Sequence, residues 1–479
     1  MATCSLPFLC IMISHYLVLT LALAGTAATA LFAAPVRVAC VGDSITAGSG
    51  TPSPDWHGYP AQLQRLLGDG YMVGNFGVSG ATLLNGGDKP YQHEAAFKNA
   101  LGSRPDVVVI QLGTNDTKPQ NWAHEAQFSA DYADLVRQFQ ALPSKPRIFL
   151  SLPPFVAGSG NFGITESVLL KAIPLIQAVA KDAEASVVDV HGAFLKRDDL
   201  LPDRVHPNPA GAALLARTVY TAIVGKSAGK VPDRVAAQWN GYERLDYEIN
   251  GRRAILISPK NAAPGRPWIW RTEFFGAFPA VDIALLAKGW HVAYYNVSGL
   301  YGAPIALDAM DGFHAQFVAD HQLAPKPVLE GFSRGGLYAF NWAARNPGKV
   351  AALYVDAPVC DFKSWPGAEG KGEGGSPSEW KACLKAYRFT EEQALAYKLN
   401  PLDKLAPLAS AKIPIIAVAG DADNVVPMDE NISIVERRYR ELGGEIQVII
   451  KPGVGHHPHS LTDPTPVVDF LIRHFTPAR

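Results

Sequence analysis

Val41-Gly42-Asp43-Ser44-Ile45-Thr46 is the stretch around which the chain is organised, and it closes an apolar run that begins at Val36. An apolar run of this length that ends in a glycine is typical of a buried parallel strand followed by a turn. The pattern places Ser44 at the carboxyl end of a strand, where open α/β sheets bind their ligands. A serine at this position is either a helix N-cap or a nucleophile.

A second stretch, Gly331-Phe332-Ser333-Arg334-Gly335, also lies between an apolar run and a helical pattern. The chain therefore offers two candidate serine nucleophiles, Ser44 and Ser333. Its 479 residues are enough for two to four domains. The hydrophobic fraction of 48% and the charged fraction of 18% indicate a globular protein with a large core.

The first domain is predicted to span residues 35–226, where apolar runs alternate with amphipathic helical patterns. This alternation predicts a parallel sheet between two layers of helices, a three-layer α/β/α sandwich. The predicted strands are Val36–Val41, Met72–Phe76, Val107–Leu112, Ile148–Leu152 and Val187–Val190. The predicted helices include Tyr59–Leu67, Phe128–Leu142, Ser167–Ala183 and Ala210–Val224.

Polar clusters follow the predicted strands of the first domain and are expected to meet at one sheet edge. They are Gly42-Asp43-Ser44, Asn75–Gly80, Gly113-Thr114-Asn115-Asp116 and Asp203–His206. A nucleophilic Ser44 needs a general base, which His206 can supply. Asp203 lies one helical turn before His206 and can fix the imidazole tautomer. The backbone N–H groups of Ser44 and Gly77 and the Asn115 amide are suitable donors to a tetrahedral oxyanion.

These clusters resemble the four sequence blocks of the SGNH, or GDSL-type, hydrolases: GDS at 42–44, Gly77, GTND at 113–116 and DxxH at 203–206. The resemblance implies a flavodoxin-like sheet and a Ser44/Asp203/His206 triad, with Gly77 and Asn115 in the oxyanion hole. Asp116 itself is expected to have a structural role, bracing the loop. Within the superfamily, the stretches 42–46 and 75–84 are most similar to bacterial sugar O-acetylesterases.

Residues 227–235 are predicted to form a linker, because Val224 to Pro232 is small, polar and contains glycine. The second domain, residues 236–479, begins with hairpin signals. The turn Asn250-Gly251 lies between the apolar runs Tyr242–Ile249 and Arg253–Ser258. Strand patterns separated by helical patterns follow at His291–Tyr295, Val328–Glu330, Ala351–Val355, Ile413–Ala419 and Ile446–Ile450.

Three motifs of this domain resemble those of the α/β-hydrolases. Gly331–Gly335 matches the G-x-S-x-G nucleophile elbow, and the order Ser333, Asp423, His456 is the order in which that fold presents its triad. The resemblance implies Asp423 as the acid, with Asp421 as the alternative, and His456 as the base, with His457 as the alternative. It also implies the Arg334 N–H as one oxyanion donor. The HGGG-type loop is missing, and a backbone N–H near Trp270 is expected to be the second donor.

A cap-like insertion is predicted over residues 358–400, where such insertions shape the pocket of α/β-hydrolases. The alternative is a solvated surface excursion. Cys360 and Cys383 lie within it, and the sequence leaves open whether they form a disulfide.

Residues 1–34 are predicted to be a secretory signal peptide, with cleavage after Ala30 or Ala34, which makes the protein secreted or periplasmic. The segment lacks the Lys or Arg that usually begins such a signal, and it is long enough for a membrane anchor, which is the alternative. A formal net charge of -1 argues against a nucleic-acid partner. The cluster His456-His457-Pro458-His459 lacks placeable carboxylate or thiol partners, so no metal and no cofactor are expected.

The sequence therefore predicts an exported serine esterase with two active sites, which deacetylates carbohydrates through acyl-enzyme intermediates. A lipase or acyl-thioesterase is one alternative, and one active esterase domain beside a silent binding domain is another. The oligomeric state is left open.

Overall fold

The first sheet in the computed structural model, which describes residues 34–367 and 374–475, has five parallel strands. Their order across the sheet is β2-β1-β3-β4-β5, the flavodoxin-like order. The strands are β1 (Val36–Gly42), β2 (Tyr71–Gly77), β3 (Val107–Gln111), β4 (Arg147–Ser151) and β5 (Ser186–Val188).

Helices cover both faces of this sheet, so its central strands are buried along their length. Every residue of β3 is buried, as are Val38 to Gly42 of β1, which explains why these strands are continuous apolar runs without alternation. The helices are α1 (Ser44–Ala47), α2 (Pro54–His57), α3 (Tyr59–Leu67), α4 (Ala95–Gly102), α5 (Pro119–Trp122), α6 (Phe128–Gln140), α7 (Glu166–Asp182), α8 (Val190–Phe194) and α9 (Pro209–Val224). Short 3₁₀ helices lie at Tyr91–His93, Asn115–Thr117, Glu125–Gln127 and Asp198–Leu200.

The second sheet has nine strands in the order β14-β13-β12-β11-β9-β10-β8-β7-β6. Strands β6, β7, β8 and β10 pair antiparallel, and all pairs from β10 to β14 are parallel. The strands are β6 (Arg234–Trp239), β7 (Tyr242–Ile249), β8 (Arg252–Ser258), β9 (Trp268–Arg271), β10 (His291–Tyr295), β11 (Val328–Phe332), β12 (Ala352–Asp356), β13 (Ile415–Gly420) and β14 (Ile446–Lys451). An antiparallel start that leads into a parallel sheet confirms the predicted α/β-hydrolase arrangement.

The predicted hairpin turn joins β7 to β8. Asn250 and Gly251 have φ angles of 49° and 73°, both in the left-handed region that this turn requires. The helices of this half of the chain are α10 (Ala280–Ala287), α11 (Pro304–His321), α12 (Gly335–Arg345), α13 (Pro377–Tyr387), α14 (Glu391–Leu395), α15 (Ala406–Ser410), α16 (Ile432–Glu441) and α17 (Thr465–His474). Short 3₁₀ helices lie at Pro347–Lys349, Pro401–Asp403 and Met428–Glu430.

Two strands of the second sheet were not predicted. Strand β6 begins at Arg234, so that its first two residues lie inside the predicted linker, and it is ordered by antiparallel pairing with β7. Strand β9 occupies residues that the sequence assigned to a loop. It has only four residues, all buried, and pairing with β10 and β11 on both sides compensates for its shortness. The last strand of the first sheet is also shorter than predicted, since Val190 begins α8.

Both sheets belong to one compact unit that starts at Val36. In residues 34–367 and 374–475, no helix is both long and apolar enough to cross a membrane. Apart from Ala34, the predicted signal peptide lies outside the described residues. Cys360 and Cys383 are buried free thiols, so no disulfide joins them.

Candidate active sites

Ser44 is the first residue of α1, directly after β1. The N-cap of this short helix is Asp43, whose carboxylate accepts the Ile45 N–H at 2.9 Å. Because Asp43 has the capping role, the Ser44 hydroxyl is free for another partner. Asp43 is fully buried, and burial raises its pKa to about 6.

The partner of Ser44 is His206. Its Nε2 lies 2.8 Å from the Ser44 Oγ, and its Nδ1 lies 2.7 Å from the Asp203 Oδ2. The other Asp203 oxygen accepts the backbone N–H groups of Val205 and His206 at 3.0 and 2.7 Å. Burial alone would raise the pKa of Asp203, but the hydrogen bonds from His206 and Val205 outweigh it and hold the pKa below its usual value. The Asp203 side chain is still 35% exposed.

The two residues predicted for the first oxyanion hole also lie at this sheet edge, but both have protein partners. The Gly77 N–H donates to the Asn75 Oδ1 at 2.9 Å. The Asn115 amide is buried and donates to the Ala81 carbonyl at 3.1 Å. A Cβ at Gly77 would collide with the backbone of Ala47, so close packing against α1 is a sufficient reason for this glycine.

Asp116 has the bracing role that was expected of it. Its two carboxylate oxygens accept the N–H groups of Leu83 and Leu84 at 3.0 and 2.8 Å. The residue is fully buried, and burial raises its pKa to about 7. Asp116 thereby ties the loop after β3 to the loop after β2.

The sequence missed the aromatic side chain that lies beside His206. Phe162 is 54% exposed, and its ring centroid lies 5.5 Å from that of His206. By contrast, the aromatic residues Trp56, Tyr59 and Tyr91 of the first domain expose at most 4% of their surface. The only signal for Phe162 was its position in a loop with three glycines, residues 158–163.

Ser333 lies in the second site, between β11 and α12, with a φ of 48°. Backbone in this region is strained for a non-glycine residue, as in a nucleophile elbow. Its Oγ lies 3.0 Å from the His456 Nε2, and the His456 Nδ1 lies 2.7 Å from the Asp423 Oδ2. The remaining Asp423 oxygen accepts the N–H groups of Val425 and Val426, both at 2.9 Å.

The structure separates the alternatives that the sequence left open. Asp421 accepts the Gly453 N–H at 2.6 Å and so braces the base loop, while Asp423 contacts the histidine. The histidine next to Ser333 is His456, and His457 is exposed. Desolvation and the neighbouring imidazoles lower the pKa of His457.

Asp423 differs from Asp203 in its burial. Its side chain is only 1% exposed. Burial would raise the pKa of Asp423, but hydrogen bonds from the His456 ring and from the Val426 and Val425 N–H groups outweigh it, and the pKa is lowered.

Asp356, at the end of β12, links the nucleophile to the base loop. Its carbonyl accepts the Ser333 N–H at 2.9 Å. Its carboxylate contacts the His459 Nδ1 at 2.7 Å and accepts the Ser460 N–H at 2.7 Å. Both Asp356 and His459 are buried.

The Trp270 N–H itself is not the second oxyanion donor, and the expectation of a donor near Trp270 stays a prediction. Trp270 lies inside β9, paired with Ala293 on one side and Leu329 on the other, so its N–H is within the sheet. The loop that follows β9 begins at Thr272, and an ideal Cβ on Gly335 would lie 3.3 Å from the Glu273 Cβ. The residues next to the elbow are therefore those after the strand.

The side chain of Arg334 is held by polar groups from three segments. Its guanidinium donates to Glu379 of α13 at 2.9 Å and to the Ser298 Oγ at 3.1 Å, and it lies 3.5 Å from Glu273. Burial raises the pKa of Glu273. Helix α13, which lies within residues 358–400, is thus tied to the residue after Ser333.

Three imidazoles of the base loop, His456, His457 and His459, are close enough to hold a metal ion, with ring nitrogens within 4.8 Å of one another. Both nitrogens of His456 already face Ser333 and Asp423, and the His459 Nδ1 faces Asp356. A metal on His456 would displace one of these contacts.

Residues 40–214 match the model of the GDSL-like Lipase/Acylhydrolase family, which confirms the predicted resemblance of the first domain. An acetylxylan esterase of Xylanibacter ruminicola is 41% identical over 207 residues, covering 39% of this chain and 43% of that protein. An uncharacterized esterase of Bacillus subtilis is 27% identical over 186 residues, covering 33% and 46%. The chain spans less than half the length of the curated relatives it matches.

Among solved structures, an acetyl xylan esterase is 23% identical and covers 40% of this chain and 100% of that chain, with a TM-score of 0.33. The dipeptidyl peptidase 4 of Porphyromonas gingivalis is 17% identical and covers 50% of this chain and 36% of that chain, with a TM-score of 0.39.

Proposed function

We propose that the chain is a serine ester hydrolase with two active sites that removes acyl groups, chiefly acetyl, from carbohydrates. The observation that carries the proposal is the pair of hydrogen-bonded series Ser44–His206–Asp203 and Ser333–His456–Asp423, with all four contacts between 2.7 and 3.0 Å. This arrangement is the one that activates a serine hydroxyl for acyl transfer on unrelated folds.

In the first site, the Ser44 Oγ attacks the ester carbonyl while the His206 Nε2 takes its proton. Asp203 accepts the Nδ1–H and stabilises the imidazolium that forms. The imidazolium then protonates the leaving alcohol, the C–O bond breaks, and an acyl-Ser44 remains. Water attacks this ester with His206 as base, and the carboxylic acid and free Ser44 are released.

The second site would run the same steps on Ser333, with His456 as base and Asp423 as its partner. The N–H of Arg334 is the proposed oxyanion donor, because the residue after a nucleophile at this elbow presents its N–H to the tetrahedral oxygen. In the first site, the Ser44 N–H and the Asn115 amide are the proposed donors. The Gly77 N–H would have to leave Asn75 to take part.

Acetylated polysaccharide is the proposed substrate class, and the similarity of the chain to acetylxylan esterases supports it. Exposed Phe162 beside His206 adds an apolar surface on which a sugar ring can stack. Export through residues 1–34 would bring the enzyme to such a polymer. Two esterases on one chain would raise each other's effective concentration near the shared substrate.

The decisive experiment measures acetate released from acetylated xylan, xyloglucan and pectin by the wild type, Ser44→Ala and Ser333→Ala. Complementary losses in the two variants are expected. If one variant is inert and the other unchanged, only one domain is a carbohydrate esterase. If the wild type releases no acetate but both serines react with a fluorophosphonate, lipid esters and thioesters become the substrates to test. If neither serine reacts, the esterase proposal fails.

A further inference from the structure

The segment Ser53–His57, which contains α2 of the first domain, contacts the second sheet. The Asp55 carboxylate accepts the Asn296 amide at 2.6 Å and the Arg253 guanidinium at 3.3 Å. Two residues later, the His57 Nε2 lies 2.8 Å from the Glu248 carboxylate. The segment therefore has two separate attachments to the second domain.

The same segment is continuous with the wall of the first site. Gly50 has a φ of 87°, and an ideal Cβ on it would lie 2.9 Å from the His206 Cβ and 2.8 Å from the Pro207 carbonyl oxygen. Asp55 is five positions after Gly50, a span of at most about 18 Å at the reach of an extended chain. The loop that packs against His206 therefore also reaches the second domain.

Asn296 continues the series of contacts toward the second nucleophile. It follows β10, at the same sheet edge at which Ser333 follows β11. Its side-chain oxygen accepts the Ser298 N–H at 3.0 Å, and the Ser298 Oγ accepts the Arg334 guanidinium at 3.1 Å. Three hydrogen bonds therefore connect Asp55, through Asn296 and Ser298, to the residue that follows Ser333.

Arg334 also connects this series of contacts to helix α13. Its guanidinium also donates to Glu379 of α13, and the Tyr301 hydroxyl contacts the same carboxylate. A shift of the loop after β10 would move Ser298, Arg334 and the cap helix together. A displacement of this kind at a catalytic elbow changes rate without any change in the reacting groups.

We propose that Asp55 of the first domain is a positioning residue for the second site, acting through Asn296 and Ser298 on Arg334. The reactivity of Ser333 then depends on the docked first domain and not on the chemistry of Ser44. The inference rests on the proposed function of Ser333 as a nucleophile. Since the Asp55 side chain is 38% exposed, the expected effect is modest, about 3- to 10-fold.

The test uses the full chain with Ser44→Ala, so that Ser333 is the reactive serine, and measures the rate of fluorophosphonate labelling together with kcat and KM on a soluble aryl acetate. Asp55→Ala and Asn296→Ala should each slow labelling about 3- to 10-fold. The double variant should be no slower than the slower single variant, because both changes break the same contact. Asp55→Asn keeps an acceptor for Asn296 and should stay within about twofold of the parent.

Glu248→Ala is the matched control, because it breaks the other attachment, to His57, which does not lead to Arg334. It should leave the labelling rate within about twofold. Unchanged rates in Asp55→Ala and Asn296→Ala, additive losses in the double variant, or an equal loss in Glu248→Ala would each overturn the proposal.

Hydrogen exchange of residues 296–301 gives a second readout that needs no chemistry at Ser333. The Ser298 amide should exchange faster in Asp55→Ala than in Glu248→Ala, because its acceptor Asn296 has lost a restraint. If Ser333 is unlabelled even in the parent, the proposed function of the second site fails, and exchange alone decides this proposal. Unchanged exchange would then overturn it.

Discussion

The two candidate sites reach the same side-chain arrangement by opposite routes. In the first, acid and base are three residues apart in one loop, and the acid also accepts two N–H groups of that loop. In the second, Asp423 and His456 are 33 residues apart and lie on two loops. Asp423 likewise accepts two N–H groups of its own loop, so the sites differ in the contact between acid and base, which lies within one loop in the first site and joins two loops in the second.

The acids of the two sites also differ in how deeply they are buried. The side chain of Asp203 is 35% exposed, and that of Asp423 is 1% exposed. The second site also has Asp356, which contacts both the nucleophile backbone and His459 of the base loop. Asp356 therefore adds a buried link between the loop that carries Ser333 and the loop that carries His456.

The largest difference is expected for Asp423→Asn compared with Asp203→Asn. An amide cannot hold the histidine in the required tautomer, so kcat of the second site should fall about 10³- to 10⁴-fold. The first site should lose less, about 10²- to 10³-fold, because water can reach the exposed position of Asp203. Each variant is assayed by labelling rate and by kcat with the other nucleophile replaced by alanine. Equal losses would show that burial of the acid does not distinguish the sites.

Asp356→Asn tests the link that only the second site has. The substitution weakens the contact with His459 and frees the base loop to shift, and a shift of about 1 Å can cost on the order of 100-fold in rate. We expect kcat of the second site to fall about 10- to 100-fold.

The first site is the internal control for Asp356→Asn, since its activity on the same chain should stay unchanged. His459→Ala checks the same link from the other partner and should lower kcat in the same direction. A normal kcat in both variants would mean that Asp423 alone is enough to position His456.

The contrast between local and long-range construction also explains what the sequence could predict. The acid and base of the first site were predicted with their roles because Asp203 and His206 are neighbours in one motif. In the second site, Asp421 and Asp423 both fitted the acid loop. The motif favoured Asp423, and its contact with His456, 33 residues further along the chain, separates it from Asp421. That contact depends on how β13 and β14 pair, which spacing alone does not encode.

The missed features have the same origin. Strand β9 is four residues long and is stabilised by neighbours that lie more than 20 residues away in the sequence, so no local pattern marks it. Strand β6 is a partly exposed edge strand that directly follows the linker-like stretch ending at Pro232. Both sheets were otherwise predicted well, because strands buried on both faces appear as continuous apolar runs.

Gly77 and Gly335, which pack near the two nucleophiles, should differ in how well they tolerate substitution by alanine. A Cβ at Gly77 would lie 2.6 Å from the Thr46 carbonyl carbon and 2.8 Å from the Ala47 Cα, both backbone atoms of the helix that carries Ser44. A Cβ at Gly335 would lie 3.2 Å or more from its neighbours. We expect Gly77→Ala to lower the free energy of unfolding by about 3 kcal/mol and Gly335→Ala by about 1 kcal/mol or less. Denaturant unfolding measures both, and the reverse order would contradict the packing argument.

The smallest expected effect is on how the free energy of unfolding decreases at acidic pH. The pKa values of Asp203 and Asp423 are both lowered in the folded protein, so each contributes stability that is present above the unfolded pKa of about 4. This stability is lost as the pH falls through the lower, folded pKa. Asp423→Asn removes this contribution. Below about pH 4 the free energy of unfolding of the variant should therefore decrease less than that of the wild type, by on the order of 1 kcal/mol. Asp203→Asn should have a smaller effect, because solvent screens its more exposed carboxylate. Denaturant midpoints between about pH 3 and pH 6 measure both slopes, and an equal change in the two variants would mean that the local loop protects its carboxylate as well as burial does.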